Sequence, residues 1–202
     1  FEMDRPRIVF MGTPDFAAVA LRYLVADGCE VAAVYTQQDQ SAGRGRVLVP
    51  GPVKKAACEL GLPIIQPRHF KNEQITAELA GLKPDVVVVV AYGQILPRTV
   101  LDIPRHGCIN IHPSLLPRFR GVSPVPAAIL AGDEFTGVTV MLLDAGTDTG
   151  PVLAQAEVPI STSDTSGSLS NKLARLGPQL LLDVLPLWVK GMIDPLPQDA
   201  SI

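Results

Sequence analysis

Five consecutive valines followed by an alanine, Val86 to Ala91, constrain the fold of this chain more than any other stretch. Successive side chains of a strand point to opposite faces, so this run is apolar on both. Such a strand needs cover on each side, which a central strand of a parallel sheet receives from flanking helices. The neighbouring segments fit that frame. Arg7 to Met11 is another apolar run and ends at Gly12-Thr13-Pro14. Thr13 is placed to cap a helix, and Pro14 suits its first turn, where a missing N–H costs nothing. A helix is then expected over Phe16 to Val25 and a strand over Val31 to Tyr35. A polar, glycine-bearing loop follows from Gln37 to Gly51, then a helix over Val53 to Leu60 stopped by Gly61. Pro63 to Gln66 reads as a short strand and Asn72 to Ala80 as a polar-faced helix.

Beyond the valines, Cys108 to His112 is the next strand and Val125 to Ala131 a helix. Two extended runs, Val138 to Leu143 and Val152 to Val158, are expected to pair antiparallel across Asp144 to Pro151. Ser168 to Val189 is leucine-rich and reads as a final helix interrupted at Pro178 and Pro186. The early alternation of strand and helix predicts an α/β fold, a Rossmann-like and mostly parallel sheet with helices on both faces. The tail from Asp194 carries two prolines and few apolar residues, and reads as a linker or a frayed end.

A chain of 202 residues provides one full-sized domain, and its 47% apolar content supplies a core. A net charge of −3 argues against a protein that grips nucleic acid with its whole surface, and leaves room for a local basic patch. Cys29, Cys58 and Cys108 are odd in number, far apart and without a CxxC pair, as expected of reduced thiols in the cytosol. No window holds the ~18 uninterrupted apolar residues of a membrane span. Phe1 to Arg7 lacks the apolar stretch of a signal peptide, so the cytoplasm is the expected compartment.

A strand–glycine–helix opening invites a dinucleotide, but the fingerprint for one needs glycines at G-x-G-x-x-G. Gly12 stands alone, and Gly43 and Gly45 are followed by Leu48 where the third glycine belongs. No Walker A motif occurs. The informative segment is Gly107 to Gly121, GCINIHPSLLPRFRG. Cys108, Asn110 and His112 share one strand face, and Pro113 ends the strand. An amide and an imidazole at the carboxyl end of a strand in an open α/β sheet lie where ligands collect, and suit a pair of donors to an oxyanion. The competing reading is that both merely stabilise a turn; on the residues alone the two stand level. Asp148 lies in the loop Asp144-Ala-Gly-Thr-Asp-Thr-Gly150. It is either a turn aspartate bonded to its own backbone or, bracketed by Gly146 and Gly150, a carboxylate aimed into a cleft. A carboxylate beside His112 would favour the imidazolium. His69, His106 and His112 lack the clustered partners of a metal site, so no metal is expected.

INIHPSLLPRFRG together with DAGTDTGP resembles the active-site signature of formyltransferases that use 10-formyltetrahydrofolate, and the resemblance covers Arg7 to Val189. It implies that Asn110, His112 and Asp148 are catalytic. It implies also that Ser114, Leu115, Leu116 and Pro117, with the turn Gln94-Ile95-Leu96, line the folate pocket. Within the family three stretches resemble the branch that formylates methionyl initiator tRNA: VFMGTPDFA from Val9, SAGRGR from Ser41 and AAILAGDEFTGVTV from Ala127. By that match Arg44 is a tRNA contact; without it Arg44, Arg46, Lys54 and Lys55 read as a solvated basic face. Arg118 and Arg120 are expected to shape the loop. Pro126 stands where a polar residue such as glutamine is expected, which predicts altered geometry at that helix start. The resemblance further implies a catalytic domain over residues 1–192, a linker from 193, and a C-terminal barrel outside this sequence that helps hold tRNA. A monomer is the default. The alternatives are a relative acting on glycinamide ribonucleotide or an amino-sugar nucleotide, a catalytically silent folate-binding module, and a plain α/β domain.

Overall fold

The computed structural model describes residues 5–42 and 47–199. The chain divides into two compact units, Phe1–Gly107 and Cys108–Ile202. In the first unit, β1 (Arg7–Gly12) leads into α1 (Asp15–Ala26) and β2 (Glu30–Tyr35). Then come β3 (Gln40–Ala42), β4 (Val47–Val49), α2 (Pro52–Glu59), β5 (Ile64–Ile65), α3 (Glu73–Gly81), β6 (Val86–Val90) and α4 (Arg98–Leu101). The strands lie in the order β5-β2-β1-β6, and each neighbouring pair is parallel. The chain builds outward from β1 through β2 to β5, then returns to the other side of β1 as β6. That reversal is the topological switch of Rossmann-like sheets.

All five valines of β6 are buried, so both faces of the strand are covered, as their composition demands. Each such side chain contributes roughly 1.5–3 kcal/mol when fully withdrawn from water. α1, α2 and α3 fall within a residue or two of their expected positions, and Gly61 after α2 has φ +67°. Asn72 caps α3 by accepting the Gln74 N–H at 2.9 Å. Two expectations fail here. Thr13 does not cap α1; the N-cap is Pro14, and the Thr13 hydroxyl donates instead to the Tyr92 carbonyl at 2.8 Å, tying the carboxyl ends of β1 and β6. The polar stretch after Gln37 contains β3 and β4, an antiparallel pair too short to carry a periodicity. Tyr35 and Tyr92 each contact Phe70, and their hydroxyls are buried without a partner among the described residues.

In the second unit, β7 (Cys108–His112) is followed by α5 (Pro124–Leu130), β8 (Phe135–Leu142), β9 (Val152–Pro159) and α6 (Ser166–Val189). β8 pairs antiparallel with β7 and with β9, as expected for the two runs across the aspartate loop. Pro126 falls in the first turn of α5, which starts at Pro124; backbone N–H groups there have no partner within the helix, so the helix forms despite it. Pro178 and Pro186 do not interrupt α6 either. A proline inside a helix costs about 3 kcal/mol, but α6 buries Leu169, Leu173, Leu181, Val184 and Leu185 along one face, which outweighs it. The described part of the tail, residues 194–199, is not frayed. Leu196 exchanges backbone hydrogen bonds with Val152 at 2.8 and 2.9 Å, laying residues 194–199 beside β9.

Candidate active site

β7 is short, buried throughout and stopped by Pro113. Its alternation puts Asn110 and His112 on one face at the strand's carboxyl end, each almost fully buried. The Asn110 amide makes no hydrogen bond among the described residues and is not one of their fully buried unpartnered groups, so it remains open to solvent or to a ligand. His112 is hydrogen-bonded at one ring nitrogen and faces a carboxylate at the other. Nε2 lies 3.0 Å from the Phe119 carbonyl oxygen, and since a carbonyl only accepts, Nε2 carries a proton and donates. Nδ1 lies 3.6 Å from Oδ2 of Asp148. That is beyond a hydrogen bond and well within reach of charge, so a second proton on Nδ1 produces an imidazolium facing a carboxylate.

Asp148 owes its position to two features. Its backbone is left-handed, with φ +53°, which aspartate tolerates better than most residues. Its Oδ2 also accepts the Gly121 N–H at 2.9 Å. Asp144 plays the other role open to an aspartate in this loop. It accepts from the Gly146 N–H at 2.9 Å and from the Thr149 hydroxyl at 2.8 Å, closing the turn on itself. A Cβ on Gly150 would collide with the Leu142 carbonyl, so the loop's last glycine is required by close approach.

The loop from Pro113 to Gly121, which supplies both the Phe119 carbonyl and the Gly121 N–H, is anchored to the sheet by residues the sequence reading missed. In register, His112 faces Thr139 on β8, and Thr139 faces Gln155 on β9. The buried Thr139 hydroxyl donates to the Ser114 carbonyl at 2.7 Å and accepts from the Leu116 N–H at 3.1 Å and the Gln155 amide at 2.9 Å. Gln155 also donates to the Leu116 carbonyl at 2.8 Å. At the loop's far end the Ser114 hydroxyl donates to the Arg118 carbonyl at 2.7 Å. Arg118 grips Asp133 with two nitrogens, at 2.9 and 2.6 Å, and its guanidinium lies 4.6 Å above the Phe119 ring. Arg118 therefore shapes the loop, as expected. The only sequence signal for Thr139 and Gln155 is a polar residue within an apolar strand; what they hold depends on register.

Asn110, His112, Ser114 to Pro117 and Asp148 thus all belong to the second unit. The Gln94-Ile95-Leu96 turn belongs to the first, where Gln94 donates to the Pro67 carbonyl at 2.9 Å and Ile95 is almost wholly exposed. Arg44 and Arg46 lie outside the described residues. Among the described residues no group of three His, Cys, Asp or Glu side chains could hold a metal ion, and no helix is long and apolar enough to cross a membrane. An unbonded amide donor beside a His–Asp pair is equipped to stabilise an oxyanion and to move a proton.

The sequence profile of the formyl transferase family matches residues 6–185. The chain belongs to that family. Within it, a methionyl-tRNA formyltransferase from Ectopseudomonas mendocina is 56% identical over 98% of the chain, and one from Dehalococcoides mccartyi 55% identical over 91%. The chain spans only 63% and 59% of the lengths of these two relatives. Among solved formyl transferases, the phosphoribosylglycinamide formyltransferase of Brucella melitensis superposes with a TM-score of 0.72 at 28% identity, covering 95% of this chain and 100% of that one. The α/β, Rossmann-like fold expected from the alternation of strand and helix is therefore the fold of the family.

Proposed function

We propose that this chain is the catalytic part of a methionyl-tRNA formyltransferase, which moves a formyl group from 10-formyltetrahydrofolate to the α-amino group of methionine on initiator tRNA. The observation that carries the reading is an unbonded Asn110 amide one strand position beyond the neighbour of His112, whose Nδ1 lies 3.6 Å from Asp148. Acyl transfer to an amine needs such a set. As the amine attacks the formyl carbon, negative charge develops on the formyl oxygen. Asn110 donates an N–H to that oxygen, and the His112 imidazolium opposes its charge. Asp148 supports the imidazolium. The Nδ1–Oδ2 separation of 3.6 Å admits no water between the two groups, so the amine proton passes by way of the Asp148 carboxylate, or a water beside it, to the leaving nitrogen. A bond forms between the methionine nitrogen and the formyl carbon, the bond from that carbon to the folate nitrogen breaks, and the proton lost by the amine ends on that nitrogen.

Ser114, Leu115, Leu116 and Pro117, and the Gln94-Ile95-Leu96 turn, are proposed as folate contacts on the strength of the family resemblance. Arg44 is proposed as a contact to the tRNA acceptor end. The cytoplasm, where initiator tRNA is charged, is the compartment this reading implies. The greater length of the relatives leaves room for the barrel that helps hold tRNA. The acceptor is argued from similarity: relatives above half identity carry the tRNA-directed name, whereas the phosphoribosylglycinamide enzyme matches at 28%.

The test is formyl transfer from 10-formyltetrahydrofolate, with methionyl initiator tRNA, glycinamide ribonucleotide and an amino-sugar nucleotide compared as acceptors. Transfer to the tRNA upholds the proposal. Transfer only to a small acceptor replaces it with the related reading, and no transfer by the full-length protein leaves a silent folate-binding module.

A further inference from the structure

Residues 194–199 run back past the aspartate loop, and one side chain there touches both loops that set the site. Gln198 donates through Nε2 to the Asp148 carbonyl at 2.9 Å and to the Gly150 carbonyl at 2.7 Å. Its Oε1 accepts from Nε of Arg120 at 3.0 Å. Chemistry fixes the orientation of this amide. Turned over, it would set an oxygen against two carbonyls and an NH2 against a guanidinium. Both Nε2 hydrogens are used, and each goes to the backbone of the loop that carries the carboxylate.

Arg120 sits between the two residues of the other loop that touch the His112–Asp148 pair. Phe119 before it accepts the His112 Nε2–H, and Gly121 after it donates to Asp148 Oδ2. Gln198 therefore joins the loop that holds the imidazole to the loop that holds the carboxylate. A second Arg120 contact, from Nη2 to the Asp199 carbonyl at 2.9 Å, and the backbone pairing of Leu196 with Val152 keep the strap in place. The left-handed backbone at Asp148 gives the arrangement its consequence. A conformation costly for a non-glycine residue persists where its surroundings over-determine it, and the carbonyl of that same residue is one that Gln198 grips.

We infer that Gln198 is a positioning residue, which sets the distance between His112 and Asp148 by cross-linking their two loops. The inference rests on the role proposed for Asp148.

Three variants of the full-length protein test it. Gln198→Glu keeps the shape and the bond from Arg120 but loses both N–H donors and sets a carboxylate against two carbonyls. Gln198→Ala removes all three bonds. Both are expected to lower kcat roughly 10- to 100-fold, the cost of misplacing a reacting group by a fraction of an ångström to one ångström. KM for folate and for acceptor should change less than about 3-fold, because neither ground-state contact is touched. A purely structural role would lower the unfolding temperature and leave kcat of the folded protein intact, which would overturn the inference. Asp148→Asn separates the two levels of argument. If it turns over normally, the reading of Asp148 fails. If it is inactive while both Gln198 variants keep wild-type kcat, the positioning role alone fails.

Discussion

Asn110 and Thr139 stand at opposite poles of hydrogen-bond use. The Asn110 side chain is mostly buried and its amide has no hydrogen-bond partner among the described residues, yet it is not one of the fully buried unpartnered groups, so the amide keeps access to water and to a ligand. Asn110→Ala should leave the fold intact, with no partner in the fold to lose, while lowering kcat about 10²- to 10³-fold, the usual loss for one oxyanion donor. Steady-state kinetics beside thermal unfolding checks this, and a variant with near-normal kcat would remove Asn110 from the reaction. Thr139 spends its hydroxyl fully: one proton donated, two accepted. Thr139→Val keeps the shape and strands the Ser114 carbonyl, the Leu116 N–H and one Gln155 hydrogen. A loss of about 2 kcal/mol in denaturant unfolding is expected, since each stranded group costs about 1–3 kcal/mol before the loop relaxes. Unchanged stability would mean that the loop does not depend on this hydroxyl. The two residues also differ in how far the sequence discloses them. Asn110 is visible because N-x-H on a short apolar strand fixes its face. Thr139 is one polar residue among apolar ones until pairing with β7 sets it opposite His112.

Elements were legible where local pattern and tertiary environment agree. The valines of β6 announce themselves as an apolar run covered on both faces, the strand β7 by polar side chains on a single face, and β8 and β9 as apolar runs either side of a polar loop. β3, β4 and the four-residue α4 do not, since pieces that short hold no periodicity. α6 misled in the opposite sense: its prolines signal interruption, and burial of one face overrides them. Its start lies at Ser166, two residues before the expected one, because Thr165 and Ser168 form a capping box with serine where glutamate or glutamine is the usual signal. That helix also bears on the site. A Cβ at Gly177 would lie 2.6 Å from Cγ2 of Ile111, the residue between Asn110 and His112. Gly177→Ala gains about 1 kcal/mol of helix propensity. It loses more to overpacking, about 1–3 kcal/mol, because a branched methyl on a buried strand has little freedom to retreat. Net destabilisation with a lowered kcat is expected from denaturant titration and kinetics together; a variant more stable than wild type would show that α6 stands off from β7.

At the scale of the whole chain, its two units carry groups that limit stability at opposite ends of the pH scale. In the first, burial pushes the Tyr35 hydroxyl up to about 12, and the charge of Glu78 adds to it. In the second, Asp164 is drawn down to about 2, first by its hydrogen bond from Lys172 at 2.6 Å, then by the Ser168 hydroxyl and the Ser161 N–H at the start of α6. The signs follow from which state holds the proton. Tyr35 binds its proton more tightly when folded, so its contribution is complete below the unfolded value near 10 and is lost as the pH rises toward about 12. Asp164 gives up its proton more readily when folded. Its contribution is complete above the unfolded value near 4 and is lost as the pH falls toward about 2. Asp164→Asn should thus be less stable than wild type at neutral pH, with the difference closing between about pH 4 and 2. Tyr35→Phe should resist the alkaline loss between about pH 10 and 12, since it has no proton to release. Trp188, the chain's one tryptophan, lies in α6 and reports the acid limb by fluorescence; circular dichroism follows the alkaline one. A gap between wild type and Asp164→Asn that persists unchanged at pH 2 would show that the aspartate acts only as a neutral hydrogen-bond acceptor, not as a charge, and that the Lys172 pair contributes nothing to holding the N-terminus of α6.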